Sequence, residues 1–218
     1  THLNLHSEYS IQDGLIRIND LAEKAYDLNF ESLAITDLSN LFGFIKFYKE
    51  LRKKGIKPIC GSDFLLSGEN TNSGNLQFLV QDHKGYKNLI RLISKSHTTG
   101  KINGVPFLSV KDLEEFSEGL LLITGGIDSQ IGQSILAGKN DIAVKQIKYL
   151  KNLYKDNFFL QLTRTGKNQE ELCNQTLIEY ANELSIPVVA TNQVRFLSRD
   201  DFEAHETRVC IQSGHVLG

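Results

Sequence analysis

The sequence lacks methionine, contains three prolines and three cysteines in 218 residues, and has no long apolar run. Because the chain starts with Thr1 and contains no methionine, we expect it to be a fragment of a longer protein. Cys60, Cys173 and Cys210 are far apart and odd in number, which argues against a disulfide framework and favours a reducing compartment. No segment approaches the roughly 20 apolar residues that cross a bilayer, and no signal peptide is visible.

An excess of charge of one sign is also absent, because 24 Lys and Arg residues balance 26 Asp and Glu residues for a net charge of −2. This balance argues against a general polyanion binder, and no dense basic stripe with interleaved aromatic residues is present. Direct DNA binding by this chain is therefore the weakest of the functional hypotheses. The 40% hydrophobic content is ordinary for a globular protein and sufficient for a sizeable core in at most two domains.

Strand-length apolar segments alternate with helical segments along nearly the whole chain. Strands are predicted at residues 3–6, 32–36, 57–64, 76–80, 119–124, 158–162 and 187–191. Helices are predicted at residues 18–29, 42–54, 86–96, 110–116, 127–136, 142–154, 169–184 and 203–211. A hairpin or loop is predicted at 69–75 and an irregular loop at 98–106. The alternation predicts the α/β class with a parallel sheet, closed or nearly closed into a (β/α) barrel.

Polar residues cluster at the predicted strand ends, where such barrels keep their chemistry. They are Asn4, His6, Asp13, Asp37, Asp63, Asn75, Asn192 and Gln193. One histidine and up to four aspartates could converge on a divalent metal. Alternatively, the aspartates cap the helices that follow, which we favour for Asp37, whereas both interpretations stay open for Asp13 and Asp63.

Two further motifs have a functional and a structural interpretation. Gly125 and Gly126 precede a predicted helix and could cradle a phosphate, but such a turn more often only frees the backbone, which we favour. Glu203, His205 and Glu206 resemble an acid/base cluster, yet their spacing cannot place all three on one helical face. We therefore interpret the His205 segment as a solvated or interface face.

Six segments taken together resemble one family. They are HLNLHSEYSIQDG, LAITDLSNLFGFIKFY, GIKPICGSDF, GYKNLIRLIS, ITGG and VVATNQVRFLSRDDFEAHE. In this order they resemble the amino-terminal PHP (polymerase and histidinol phosphatase) domain of bacterial DNA polymerase III alpha subunits, of the metal-deficient type. The resemblance implies one domain over residues 1–218, with a distorted seven-stranded (β/α) barrel that is truncated at its carboxyl end. It also implies that the chain is the amino-terminal part of a much longer polymerase.

Metal-bearing members of this family use nine ligand positions for up to three ions. The resemblance aligns those positions with Asn4, His6, Asp13, Leu38, Asp63, Asn75, Gly126, Gln193 and Arg195. Leucine and glycine have no donor atoms, Asn and Gln are weak ligands, and Arg195 carries a permanent positive charge. We therefore predict a degenerate site in which Arg195 pairs with Asp13, Asp63 or both, leaving His6, Asp13 and Asp63 as residual metal ligands.

The resemblance implies a non-catalytic module in the cytoplasm that braces the polymerase core and docks the proofreading exonuclease (epsilon) subunit. Polymerase activity, its Mg²⁺ ions and its DNA would belong to the rest of the polymerase chain. No cofactor is expected in this chain, and no membrane partner. The alternative hypothesis is an active metal-dependent phosphoesterase, either a 3′–5′ exonuclease or a phosphatase or pyrophosphatase, which would hold Zn, Mn or Fe.

Overall fold

The computed structural model describes residues 1–67 and 74–214, and the chain forms two compact units. The first unit contains the described residues of Thr1–Ser62 and Gln193–Gly218, and the second those of Asp63–Asn192. Most of the predicted loop at 69–75 lies outside the described residues. The assignment of residues 1–218 to one domain stays a prediction.

Helices and strands alternate over most of the described chain, which confirms the α/β class. In chain order they are α1 (Ile18–Asp27), β1 (Ser32–Ile35), α2 (Phe44–Lys53), β2 (Lys57–Leu66), β3 (Gly74–Val80), α3 (His83–Thr98), β4 (Lys101–Ile102), β5 (Val105–Leu108), α4 (Val110–Glu115), β6 (Leu120–Gly125), α5 (Gln130–Leu136), α6 (Asn140–Tyr154), β7 (Phe158–Leu162), α7 (Glu170–Leu184), β8 (Val188–Ala190) and α8 (Phe202–Ser213). Single 3₁₀ turns precede β7 and α8.

The first unit is built around a core that α1, β1 and α2 share with the amino-terminal segment. Leu5 and Ile16 lie beside Leu33 and Ile35 of β1 in this core. α2 contributes Phe47, which is completely buried. α1 is amphipathic and buries Leu21, Ala22 and Ala25 at helical spacing. β1 pairs in parallel with the first half of β2, with Ser32 opposite Lys57 and Ile35 opposite Cys60.

In the second unit the strand order is β4, β5, β2, β3, β6, β7 and β8. β6, β7 and β8 pair in parallel, and so do the end of β2 and β5. The predicted apolar run forms β6, with Leu120 and Leu122 completely buried, as expected of a strand covered on both faces. Phe64 and Phe78 pack edge to face in the same core, with ring centroids 5.8 Å apart.

Three expectations about strands are wrong. The predicted strand at residues 3–6 is reduced to an isolated bridge between Leu5 and Val194, and on the other side Leu5 N donates to the side-chain Oγ1 of Thr36 rather than to a backbone carbonyl of a neighbouring strand. β3 and β6 pair antiparallel, so the sheet is mixed rather than parallel. The predicted irregular loop at 98–106 contains β4 and β5, which form an antiparallel hairpin.

Closure of the strands into a seven-stranded barrel, and its truncation, stay predictions. None of the helices in the described parts of the chain is long and apolar enough to span a membrane.

Candidate functional site

In the first unit, the amino-terminal segment is held between two other segments by backbone hydrogen bonds. His6 N donates to Val194 O over 3.0 Å, and Val194 N donates to Asn4 O over 3.1 Å. On the other side, Thr36 N donates to Leu5 O over 2.8 Å. Because side chains alternate along an extended segment, Asn4 and His6 lie on one side and Leu5 turns into the core.

Asp13 accepts hydrogen bonds from two side chains that are distant in sequence. His6 Nδ1 lies 2.7 Å from Asp13 Oδ1 and 2.9 Å from Oδ2. Arg195 Nε donates to Asp13 Oδ2 over 2.7 Å, and a terminal nitrogen of the same guanidinium donates to Asn4 Oδ1 over 2.8 Å. Four of the nine aligned positions therefore meet in one hydrogen-bonded cluster, and the predicted Arg195–Asp13 pair is present.

Burial alone would raise the pKa of Asp13, but its neighbours reverse the effect. The hydrogen bond and charge of His6, together with the charge and hydrogen bond of Arg195, hold the pKa of Asp13 below its usual value. The carboxylate is thus ionised at neutral pH and neutralised by a fixed guanidinium.

Asp37 has a different role from the helix cap that we favoured, and that expectation is wrong. α2 follows Gly43 and receives no side-chain cap. Asp37 instead accepts hydrogen bonds from Ser7 N at 2.7 Å, Ser7 Oγ at 2.7 Å and Ser10 Oγ at 2.9 Å. Burial is the larger influence and raises the pKa of Asp37 despite these donors. The carboxylate therefore fixes the loop that carries Asp13.

The donor set around Asp13 does not suit a metal ion. Its Oδ1 faces His6 Nδ1 and its Oδ2 faces Arg195, so both oxygens already have cationic or N–H partners. A guanidinium cannot lose its proton to make room for a cation, and Asn4 offers only a neutral oxygen, which itself accepts from Arg195. Within the described ranges, 1–67 and 74–214, no group of three or more His, Cys, Asp or Glu side chains could hold a metal ion.

Two more aligned positions belong to the first unit. Leu38 is half-buried and its backbone N–H donates to Ser10 Oγ, so the residue contributes to the loop through its main chain. Gln193 is half-buried and immediately precedes Val194. His205 of α8 is half-buried against Phe196, with ring centroids 5.3 Å apart, and burial lowers its pKa.

The remaining aligned positions, Asp63, Asn75 and Gly126, lie in the second unit. Asp63 is buried within β2, whereas Asn75 is exposed in β3. Gly126 O accepts from Ser129 Oγ over 3.0 Å, and Ser129 Oγ itself accepts from Gly132 N at the start of α5. The turn at Gly125 and Gly126 is therefore occupied by the cap of its own helix, which supports the structural interpretation.

Comparison with known proteins assigns the family. A family model described as "PHP domain" matches residues 2–165. The chain belongs to the PHP domain family.

The curated relatives of this PHP domain are much longer chains. It is 37% identical over 218 residues to the DNA polymerase III subunit alpha of Vibrio cholerae, and 41% identical over 221 residues to that of Escherichia coli K12. Each alignment covers 99% of this chain and 19% of the relative, so the chain spans about a fifth of their length.

A solved structure supports the fold alone. This PHP domain is similar to a candidate metal-dependent phosphoesterase from Bifidobacterium adolescentis, with a TM-score of 0.59 over 95% of both chains and 10% sequence identity.

Sequence reasoning missed the residues that hold the loop of this PHP domain in place. Ser7 and Ser10 are the donors to Asp37, and a terminal nitrogen of Arg208 donates to Gly14 O. The run of polar residues between His6 and Gly14 was a signal for the serines. No local signal identifies Arg208, because it lies in α8, far along the chain.

Proposed function

We propose that the chain is the amino-terminal PHP domain of a bacterial replicative DNA polymerase of the subunit alpha type. Its similarity to two such subunits over 99% of its length supports this assignment. In that proposal the longer chain is a cytoplasmic DNA-directed DNA polymerase. Its catalytic carboxylates, its Mg²⁺ ions and its contacts with DNA lie outside these residues.

Within that chain the domain acts as a scaffold rather than as an enzyme. The observation that carries this proposal is the 2.7 Å contact between Arg195 Nε and Asp13 Oδ2, with the same guanidinium also bound to Asn4. A guanidinium in this position supplies the positive charge that the half-buried carboxylate of Asp13 needs, so no ion is required to hold the loop. The degenerate set Asn4, His6, Asp13, Leu38, Asp63, Asn75, Gly126, Gln193 and Arg195 then serves structure.

The scaffold has two tasks in this proposal. It braces the polymerase core, and it docks the separate proofreading exonuclease (epsilon) subunit. The lack of a suitable donor set around Asp13 agrees with the delegation of proofreading to a partner, because metal-assisted hydrolysis needs several good ligands for each ion.

The metal content of the full-length polymerase tests the proposal. We expect Zn, Mn and Fe to be well below one ion per chain after purification without chelators, measured by inductively coupled plasma mass spectrometry. We also expect Arg195→His to gain no metal-dependent nuclease activity on a labelled oligonucleotide, since too many other ligands are absent.

A stoichiometric transition metal that is lost in His6→Ala or Asp13→Asn would contradict the proposal. It would instead support the active phosphoesterase, with Zn or Mn as its metal. Nuclease activity recovered in Arg195→His would contradict it as well.

A further inference from the structure

The turn between β4 and β5 consists of an asparagine followed by a glycine. Asn103 and Gly104 are the one Asn-Gly pair in the sequence, and both are exposed. Their φ angles are +51° and +84°, in the left-handed region. A Cβ atom at Gly104 would have no neighbour within 4 Å among the described residues, so the main chain that follows Asn103 lies in open space.

The side-chain amide of Asn103 and the backbone nitrogen of Gly104 can react with each other, and neither is held elsewhere. Within residues 1–67 and 74–214, neither the Asn103 amide nor the Gly104 N–H has a hydrogen-bond partner. Glycine has no side chain to shield its nitrogen, and its backbone rotates more freely than that of any other residue. The nitrogen of Gly104 is therefore accessible to the Cγ atom of Asn103.

The hairpin that holds these two residues is small and lies at an edge. β4 has only two residues, both exposed, and it is the terminal strand in the sheet order of the second unit, with β5 as its neighbour. Local opening of so short and exposed an element costs little free energy. The turn can therefore leave its left-handed conformation and bring Gly104 N onto Asn103 Cγ.

Asn29 provides a matched comparison within the same chain. It is also exposed and has a similar φ of +54°. The residue that follows is Phe30, whose N–H donates to Ala25 O over 2.9 Å and whose ring lies 5.4 Å from that of His2. The nitrogen that would attack Asn29 is thus bonded and shielded. The two asparagines differ in the residue that follows, not in exposure or in φ.

We propose, independently of the proposed function, that Asn103 is a site of spontaneous deamidation, with water as the co-reactant. The Gly104 nitrogen attacks Asn103 Cγ and forms a C–N bond that closes a succinimide ring. The Cγ–Nδ2 bond breaks, and the proton from the Gly104 nitrogen ends on the ammonia that leaves. Water then opens the ring at either carbonyl carbon, which yields aspartate or isoaspartate at position 103.

The two products have different effects on the hairpin. An Asp-Gly pair suits a type I′ turn as an Asn-Gly pair does, so the aspartate form keeps Ile102 opposite Val105. In isoaspartate the main chain runs through the former side chain and gains one carbon atom. A two-residue turn fixes the register of its strands, so this added atom separates Ile102 from Val105.

Peptide mass spectrometry of the folded protein tests the inference. The protein is kept at physiological temperature for days, at neutral and at mildly alkaline pH, and the tryptic peptide of residues 102–111 is followed. We expect the amide of Asn103 to be replaced by a carboxyl group, and isoaspartate to accumulate, faster at the higher pH because the attacking nitrogen must lose its proton. The rate should be within about tenfold of that of the free peptide 101–107, since the hairpin opens easily.

Asn29 is the internal control and should stay intact in the same digest, whereas Asn103→Gln should abolish the reaction because a longer side chain closes a larger ring. If Asn103 stays intact in the folded protein while the free peptide deamidates, the inference is overturned. It is also overturned if Asn29 reacts as fast as Asn103.

Amide hydrogen exchange of the aged protein tests the effect on the hairpin. Exchange at Ile102 and Val105 should be faster in the isoaspartate fraction than in fresh protein, and unchanged in Asn103→Asp. Equal exchange in the isoaspartate fraction and in fresh protein would contradict the predicted loss of register.

Discussion

Asp13 depends on two side chains that approach it from different parts of the sequence. His6 is seven residues away, whereas Arg195 is 182 residues away. Arg195 is mostly buried, so its bond to Asp13 is less screened by solvent than that of a surface pair. The cluster therefore ties the carboxyl-terminal segment of the first unit to its amino-terminal segment.

The pH dependence of stability follows from Asp13. Its pKa is lower in the folded protein than the ordinary value of 3.8, so the ionised form stabilises the fold above that value. Asp13→Asn should lower the free energy of unfolding at pH 7 by about 1–3 kcal/mol. The difference in free energy of unfolding between the variant and the wild type should shrink as pH falls below 3.8 and through the depressed pKa of Asp13. Wild-type Asp13 is then protonated and, like asparagine, carries no charge.

Urea unfolding of both proteins between neutral and acidic pH measures this difference. Asp27→Asn, at an exposed position in α1, is the control and should change stability by about 0.5 kcal/mol or less. A penalty for Asp13→Asn that stayed constant down to the most acidic pH would show that the carboxylate does not stabilise the fold through its charge.

At the scale of elements, the loop between His6 and Gly14 closes on itself through main-chain contacts. Ser10 N donates to Ser7 O over 2.9 Å, and Gly14 N donates to Ser10 O over 2.8 Å. A Cβ atom at Gly14 would lie 1.9 Å from Ser7 O, a distance that no side chain tolerates. The loop can bring Asp13 beside His6 only because position 14 has no side chain.

Gly14→Ala should therefore destabilise the protein more than a glycine substitution that only strains the backbone dihedral angles. We expect a loss of about 2 kcal/mol or more in the free energy of unfolding, because backbone must move. Gly138→Ala is the control: Gly138 has φ of +70° and open space around it, so that variant should lose only about 1–2 kcal/mol. Equal losses in thermal or urea unfolding would argue against the steric explanation.

The hairpin of β4 and β5 shows a local signal that was overlooked. Asn103 and Gly104 join the two strands with φ of +51° and +84°, as a type I′ turn requires. An Asn-Gly pair is the strongest short-range sequence signal for a hairpin, so this element was predictable. The antiparallel pairing of β3 with β6 was not, since it joins strands that are separated by a helix, a hairpin and a second helix.

At the scale of the whole molecule, the three cysteines lie in different elements of the fold and differ in their exposure to solvent. Cys60 and Cys173 are buried and Cys210 is half-buried. Burial raises the pKa of Cys60 to about 12, and burial with the nearby charge of Glu170 raises the pKa of Cys173 to about 11. Both thiols are therefore protonated and unreactive at neutral pH.

Thiol titration of the 218-residue chain measures that access. At neutral pH, Ellman's reagent should react readily with Cys210 and slowly or not at all with Cys60 and Cys173. In guanidinium chloride all three should react, and Cys210→Ser should remove the fast phase. A fast phase that survives in Cys210→Ser would mean that one of the buried thiols reaches solvent.

The sequence by itself determined the α/β class and the position of nearly every helix, because hydrophobic periodicity is a property of neighbouring residues. The resemblance aligns Leu38 and Gly126, which have no donor side chain, with ligand positions of the family, and that alignment stays a prediction. Only the tertiary structure decided that Arg195 bonds Asp13 and Asn4, and that Asp37 accepts from a loop rather than capping a helix. Those contacts join residues from 27 to 191 positions apart, and no local pattern encodes which distant donor reaches which carboxylate.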